Sequence, residues 1–343
     1  MNKIYSLLDE KFITALFVKE ILPKYPEFLD IKQVKISAIK KHIWETTYHV
    51  VFKFEVIFIT IDKKDKIISI YCTAHSNEQR LGAYEGSLFL WQNSFSQRKL
   101  TIPKPLFYSK DFNAFFYEGA EGENFYQYIR EKDFKEIEAI VPKAATWFAK
   151  LHQLPIQNAK NFNIENSLVE TVTPGKIHFL DKVQTFYPRY YEACLQIYEI
   201  IDSKEKNFLN NTKERWLIHG DAHPENIIHT GEDSIAVIDF ADMCLADFAR
   251  DLGTFLQQLE FMMSRKITNQ TYVEKIQQLF LTTYFNITKK ELNLELQSRI
   301  DNYYNWTALR TVIFFLSKEN AEPDRAHGLL IKICQDLKLS AII

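Results

Sequence analysis

WLIHGDAHPENIIHTGEDSIAVIDF, residues 216–240, threads Asp221, His223, Asn226 and Asp239 through segments otherwise built from Ile, Val, Leu and Phe. An isolated Asp near a strand end is ordinarily a solvated turn former. Here the spacing is joint: Asn226 follows Asp221 by five residues, and Asp239 follows Asn226 by thirteen. The short apolar runs WLIH, NIIH and AVIDF read as strands that precede and separate them, with Asp239 fixed at the end of AVIDF. Polar side chains held at the ends of buried segments in this way point to a site rather than to surface turns.

The rest of the chain changes texture once. Residues 4–22 have helical periodicity, stopped near Pro23 and Pro26. From Val34 to Ala74, VKISAIKK, TYHVVFKFEVIFITID and KIISIYCTA are rich in β-branched and aromatic residues and predict an antiparallel meander, with DKKDK as a polar turn. Helical spacing returns from Ser76. IPKPLFYSKDFNAFFYEGAEGENFYQYI then predicts two short strands about a turn at Lys110–Asn113. After residue 125 the pattern is mostly helical: Lys143–Leu154, two helices within 180–209, then one each over 254–286, 290–317 and 323–338. The fold class expected is α+β, with a small antiparallel β-rich lobe over 1–118, a connector at 119–124 and a larger α-rich lobe over 125–343.

Bulk properties exclude several classes. A chain of 343 residues can bury a two-lobed core, and 46% hydrophobic with 25% charged residues is a globular balance. A net charge of −2 gives no support to a nucleic-acid or anionic-membrane partner. Cys72, Cys194, Cys244 and Cys334 lack CxxC or zinc-finger spacing and read as reduced structural thiols. Charges break every apolar run of the N-terminal segment, so neither a signal peptide nor a transmembrane helix is expected, and a cytoplasmic location is.

HGDAHPEN keeps the Asp-to-Asn spacing of the protein-kinase catalytic loop, and IDFAD stands where such chains carry a metal-binding Asp. HGDAHPENII and VIDFADMCLADFARDLG resemble the aminoglycoside phosphotransferase and choline kinase family, whose texts run close to HGDxHxxN and IDFxxxxxGDPxxDLA. The resemblance implies a two-lobed protein-kinase-like fold, ATP or GTP with Mg²⁺ as cofactors, and a small-molecule hydroxyl as acceptor. The residues suit that chemistry on physical grounds. A carboxylate at Asp221 can take the hydroxyl proton, while Asn226 and Asp239 offer hard oxygen ligands suited to Mg²⁺. By resemblance His219 braces the loop through hydrogen bonds. Asp251, in RDLG, is by resemblance a second brace that caps a helix or bonds the loop backbone; a helical surface carboxylate is the alternative. A metal site built from His219, Asp221 and His223 is the rival reading, against which Pro224 and the matched Asn226 and Asp239 argue.

The nucleotide half departs from the family pattern. A Lys on the third strand should pair with a Glu on the next helix. Glu85 fits the helix, with Glu78 as second choice, but the Lys would fall near Thr73 and none lies between Ile67 and Ala74. Lys53, on the preceding strand, could reach the same phosphates; so could a base elsewhere such as Lys66. The remaining option is a chain that keeps only ligand binding. An exposed helix carboxylate is the plain reading of Glu85, and a solvated edge-strand face that of Lys53. KKHIWETTYHVV stands where a phosphate-covering loop would lie, without Gly; Thr46 and Thr47 with their backbone N–H groups could contact phosphate, or form an ordinary hairpin turn. FYEGAEGENFYQYI looks like the hinge that holds adenine, with backbone groups of Glu118 and Ala120 reading the purine edge and Gly119 and Gly122 permitting the bend. A plain linker would look much the same.

Glu260, Phe261, Tyr303, Tyr304 and Trp306 could wall an acceptor site, and acidic and aromatic walls would favour a cationic acceptor such as an amino sugar or choline. Aromatic stripes at helical spacing are more often core. The function expected is an ATP- and Mg²⁺-dependent O-phosphotransferase acting on a small molecule, without nucleic-acid or membrane partners and with oligomeric state open. A catalytically impaired binding protein on the same fold is the alternative. A kinase acting on protein is disfavoured, because the twelve residues from Asp239 to Asp251 leave little room for a peptide-docking segment.

Overall fold

Period-2 burial builds the first sheet. In the computed structural model, which describes residues 2–78, 80–96, 99–157, 159–172 and 175–339, a 3-10 turn at Lys3–Leu8 and α1 (Glu10–Glu20) lead into β1 (Phe28–Ile43), β2 (Tyr48–Thr60) and β3 (Asp65–His75). There follow α2 (Leu81–Leu90), β4 (Leu100–Thr101), β5 (Lys104–Ser109) and β6 (Ala114–Glu118). The main sheet has the order β1-β2-β3-β6-β5, antiparallel throughout. Alternate residues of β2, from Tyr48 through Phe52 and Phe54 to Phe58, are buried on one face. They share a core with Ile13 and Phe17 of α1, Ile70 and Cys72 of β3 and Phe116 of β6. The helix expected over 4–22 is divided at Asp9, whose carboxylate accepts the Phe12 N–H at 2.8 Å and so starts α1 as an N-cap.

The chain continues through β7 (Glu123–Asn124), α3 (Phe125–Glu131), α4 (Phe134–His152), α5 (Lys176–Phe186), α6 (Tyr191–Asn211) and β8 (Trp216–Ile218). β9 (Ile227–Gly231), β10 (Ser234–Val237) and β11 (Cys244–Ala246) come next, then α7 (Ala249–Ser264), α8 (Gln270–Thr288), α9 (Leu294–Ser317) and α10 (Pro323–Asp336). The single helix expected over 254–286 is two, α7 and α8. Asn269 separates them, its side chain accepting the Tyr272 N–H at 3.1 Å and opening a new helix. In the helical part α4 packs on α8 and α7 on α9, with Trp147, Phe148, Phe255, Phe280 and Trp306 buried among them.

Contacts divide the chain into two units, Met1–Gly122 with Ile228–Ala241, and Glu123–Ile227 with Asp242–Ile343. The α-rich lobe expected to run unbroken from 125 is therefore interrupted. Residues 228–241 group with the first unit because β10 pairs in parallel with β4, Ile235 opposite Leu100 and Ala236 opposite Thr101. All four cysteines are buried and free. No helix among the described residues is long and apolar enough to cross a membrane.

Candidate active site

In the second unit β8 delivers the loop that follows it. β8 pairs antiparallel with β11, Ile218 opposite Cys244, and His219 comes next, fully buried against Trp147 and Phe148. Gly220 has φ +83°, and a Cβ there would lie 2.2 Å from the Asp242 carbonyl oxygen and 2.7 Å from Asn166 Nδ2. Only glycine fits such a position without displacing backbone. Asp251, in the first turn of α7, secures the loop from below. Its Oδ2 accepts the His219 N–H at 2.7 Å and its Oδ1 the Gly220 N–H at 2.9 Å. His152 Nε2 lies 3.0 Å from the same Oδ2, and His152 Nδ1 lies 2.9 Å from the Tyr284 hydroxyl. Burial pushes the Asp251 carboxyl up, but the hydrogen bond and charge of His152, then the charge and N–H of His219, hold it below its ordinary value. At 1% exposure Asp251 is no surface carboxylate.

The loop then turns back on itself. Asp221 N–H donates to His219 Nδ1 at 3.3 Å. Asn226 closes a 3-10 turn at Pro224–Asn226, and its Nδ2 donates to the Asp221 carbonyl at 3.0 Å. A carbonyl only accepts, so the amide nitrogen must face it and Oδ1 is the atom left for a cation. The Asp221 carboxylate has His223 Nε2 at 3.4 Å, with its side chain still 45% exposed. Its surroundings raise its pKa by desolvation. The His223 hydrogen bond and the charges of His223, His219 and Arg310 pull harder the other way, leaving it well below the usual Asp range and ionised at neutral pH. Among the described residues no three His, Cys, Asp or Glu side chains are grouped to hold a metal, and His219 Nδ1 is spent on the loop backbone.

The first unit carries the other candidates. Asp239 does not sit on a strand as AVIDF suggested: β10 ends at Val237 and Asp239 lies beyond it in the left-handed region, φ +64°. Burial raises the hydroxyl of Tyr117, on one face of the sheet, far above its ordinary value, and the charge of the Asp239 carboxylate adds to this. Lys53 faces the same side. It stands opposite Tyr71 on β3, which stands opposite Tyr117 on β6 and stacks on it at 5.7 Å. Thr73, opposite Val51, occupies the next row of that face. Lys53 is on β2, inside the sheet order rather than on an edge strand, and its Nζ lies 3.3 Å from Glu55 Oε1. Glu85 on α2 is half-buried rather than exposed. Thr46 and Thr47 lie in the hairpin loop between β1 and β2, closed by the Trp44 N–H to the Thr47 carbonyl at 2.9 Å. Glu118 ends β6 with its carboxylate bonded to the Tyr25 hydroxyl. Ala120 follows Gly119, whose absent Cβ leaves room for the Tyr71 ring.

A cavity of about 650 Å³ opens in the second unit, lined by Asp221, Arg250, Phe261, Trp306, Arg310 and Phe314 among others. Of the five wall residues expected, Phe261 and Trp306 line it. The acidic wall does not. Glu260 is taken up by an ion pair with Lys332 and by the Tyr304 hydroxyl at 2.8 Å, and Tyr303 is buried with its hydroxyl on Glu205 at 3.0 Å. Sequence reasoning missed His152, Tyr284, Arg250 and Arg310. For Arg310 there was a signal, since it is the one charge between Asp301 and Lys318; His152 and Tyr284 sit in ordinary amphipathic helix texts.

Residues 52–284 match the model of the phosphotransferase enzyme family. The chain belongs to the phosphotransferase enzyme family. Its fold is shared by a spectinomycin phosphotransferase solved with ADP and spectinomycin, at 12% identity and TM-score 0.52 over 94% of each chain. It is shared by an ethanolamine kinase of Plasmodium vivax, at 14% identity and TM-score 0.55 over 94% of this chain and 87% of that one. An amicoumacin kinase solved with AMP-PNP and Ca²⁺ gives 14% identity and TM-score 0.56 over 96% and 95%. These likenesses establish the two-lobed kinase-like α+β fold. No curated protein sequence matches the chain significantly.

Proposed function

We propose that the chain transfers the γ-phosphate of ATP or GTP, with Mg²⁺, to a hydroxyl of a small molecule. One observation carries this: the Asp221 carboxylate, backed by a loop locked through Asp251 and Asn226, opens on a cavity large enough for a small metabolite. Asp221 accepts the acceptor's proton as its oxygen forms a bond to the γ-phosphorus; the bond from that phosphorus to the β-bridging oxygen breaks, and the nucleoside diphosphate leaves. Asn226 Oδ1 and the Asp239 carboxylate are the oxygen ligands we assign to Mg²⁺, a pair of the hard donors it prefers. Bound with the triphosphate, Mg²⁺ would supply neutralisation of the charge on the phosphoryl group. His219 and Asp251 hold the loop. For the nucleotide we assign Lys53 and Glu85 to the phosphates, Thr46 and Thr47 to the covering hairpin, and the backbone of Glu118 and Ala120 to the purine.

Thr73, standing where a lysine is expected, favours a second reading in which the chain binds nucleotide or ligand without turnover. Diphosphate release by the full chain with MgCl₂, ATP or GTP and a panel of hydroxyl compounds separates the two. Release that depends on an acceptor and falls about 10²- to 10⁴-fold in Asp221→Ala supports transfer. Nucleotide binding with no release above that of Asp221→Ala supports the second reading. An unchanged KM for ATP and unchanged turnover in Lys53→Ala would remove Lys53 from the assignment.

A further inference from the structure

The cavity beside Asp221 has the wrong charge for a cationic acceptor. Three guanidinium side chains line it, those of Arg250, Arg265 and Arg310, against two carboxylates, Asp221 and the exposed Glu225. Asp221 is reserved for the proton. Arg250 is structural, its Nη1 donating to the Asn166 carbonyl and its Nη2 to Asn166 Oδ1 at 2.9 Å. Arg310 is different. It comes from the middle of α9, a helix whose neighbouring residues Ala308, Leu309, Val312 and Ile313 are buried apolar groups. Among the described residues it makes a ring contact, 5.8 Å from the Trp306 centroid, and feels the charges of Asp221 and Asp242, with neither a hydrogen bond nor an ion pair.

A guanidinium has five donors and stays charged in proteins, and Arg310, half-buried in the lining of the cavity, presents such donors to whatever fills it. Burial, and then the charge of Arg250, disfavour the charged form, while Asp221 and Asp242 favour it only in part. Such a group fits a planar or tetrahedral oxyanion, which it can grip with paired N–H donors. Trp306, Phe261 and Phe314 supply apolar walls for a carbon skeleton.

We propose that the acceptor is a hydroxylated small molecule carrying a carboxylate or phosphate, and that Arg310 binds this oxyanion, with Arg265 at the exposed rim and Asp221 facing the hydroxyl. The inference rests on the phosphotransferase reading and narrows its substrate class. Arg310 sets specificity by touching the acceptor.

The test uses one carbon skeleton in four charge states: glucose, glucosamine, gluconate and glucose 6-phosphate, with glycerol, ethanolamine, glycerate and glycerol 3-phosphate as a shorter series. Thermal shift of the full chain with AMP-PNP and MgCl₂ reports binding; diphosphate release reports transfer. Gluconate or glycerate, or their phosphate counterparts, should bind better than the uncharged and cationic members of their series, and the preferred arm tells carboxylate from phosphate. Arg310→Gln should weaken that binding about 10- to 100-fold while leaving the shift produced by AMP-PNP alone unchanged. Arg310→Lys, which keeps the charge and loses the fork, should recover part of it. Preference for glucosamine or ethanolamine, equal binding across charge states, or anion binding unaltered in both variants overturns the proposal. Anion binding lost in Arg310→Gln without diphosphate release from any compound would uphold the oxyanion site and sink the transfer reading instead.

Discussion

The Asp251 carboxylate accepts the Gly220 N–H at 2.9 Å, thirty-one residues away in the chain and fully inside the protein. With the His219 N–H and His152 on its other oxygen, it satisfies three donors at once. Asp251→Ala would leave two buried N–H groups and a histidine without their acceptor. The expected loss is roughly 3–5 kcal/mol, as when one side of a buried polar pair is removed. Urea unfolding should show a lowered midpoint, and residual enzyme should lose kcat more than nucleotide affinity because the loop, not the nucleotide, is released.

Acid should act through the same carboxylate. Its folded pKa is depressed, so its contribution is complete above the ordinary Asp value of about 3.9 and disappears as pH falls through the folded value. Unfolding free energies of wild type and Asp251→Asn should differ most near neutrality and approach each other below about pH 4. A gap that stays constant down to the most acidic condition measured would contradict this.

Gly220→Ala is expected to damage the site through the backbone. The position combines φ +83° with a Cβ 2.2 Å from the Asp242 oxygen. Strain of this kind costs on the order of 1–3 kcal/mol before the clash is counted. Turnover should fall along with the melting temperature, whereas Gly328→Ala, with nothing within 4 Å of its Cβ on α10, should match or exceed wild type.

Asp221 should also leave a mark on the pH–rate profile. His223 and the nearby positive groups hold its carboxyl below the usual range, so the proton acceptor is already ionised across the neutral region. The acid limb due to this group should lie below about pH 4 in kcat. His223→Ala, by removing the nearest partner at 3.4 Å, should move that limb upward. An unmoved limb would mean that another group titrates.

Much of this was legible because local patterns and tertiary needs agree. The alternation of β2 and the apolar runs around HGDAHPEN announced their strands. Where sequence and structure part, a local signal was overruled. Pro142 lies inside α4, where proline ordinarily ends a helix, so the stretch from Phe134 had no readable helix. Residues 228–241 join the first unit through pairing of β10 with β4, a strand of two residues too short to carry a signal. The His152–Asp251–loop network joins residues 99 apart in the chain, and no spacing rule reaches that far. Glu260 looked like an acceptor wall until Lys332 and Tyr304 were seen to occupy it.

The assignment stands most directly on Asn226 and Asp239 as ligands of one nucleotide-bound cation. Electron paramagnetic resonance of Mn²⁺ in place of Mg²⁺, titrated into the full chain with AMP-PNP, measures this without knowledge of the acceptor. Wild type should show nucleotide-dependent Mn²⁺ binding that Asn226→Ala and Asp239→Ala each weaken about tenfold or more, as loss of a charge-assisted contact of roughly 1.5–3 kcal/mol requires. Asp221→Asn should retain it. Mn²⁺ binding that ignores the nucleotide, or that survives both substitutions unchanged, would contradict the account.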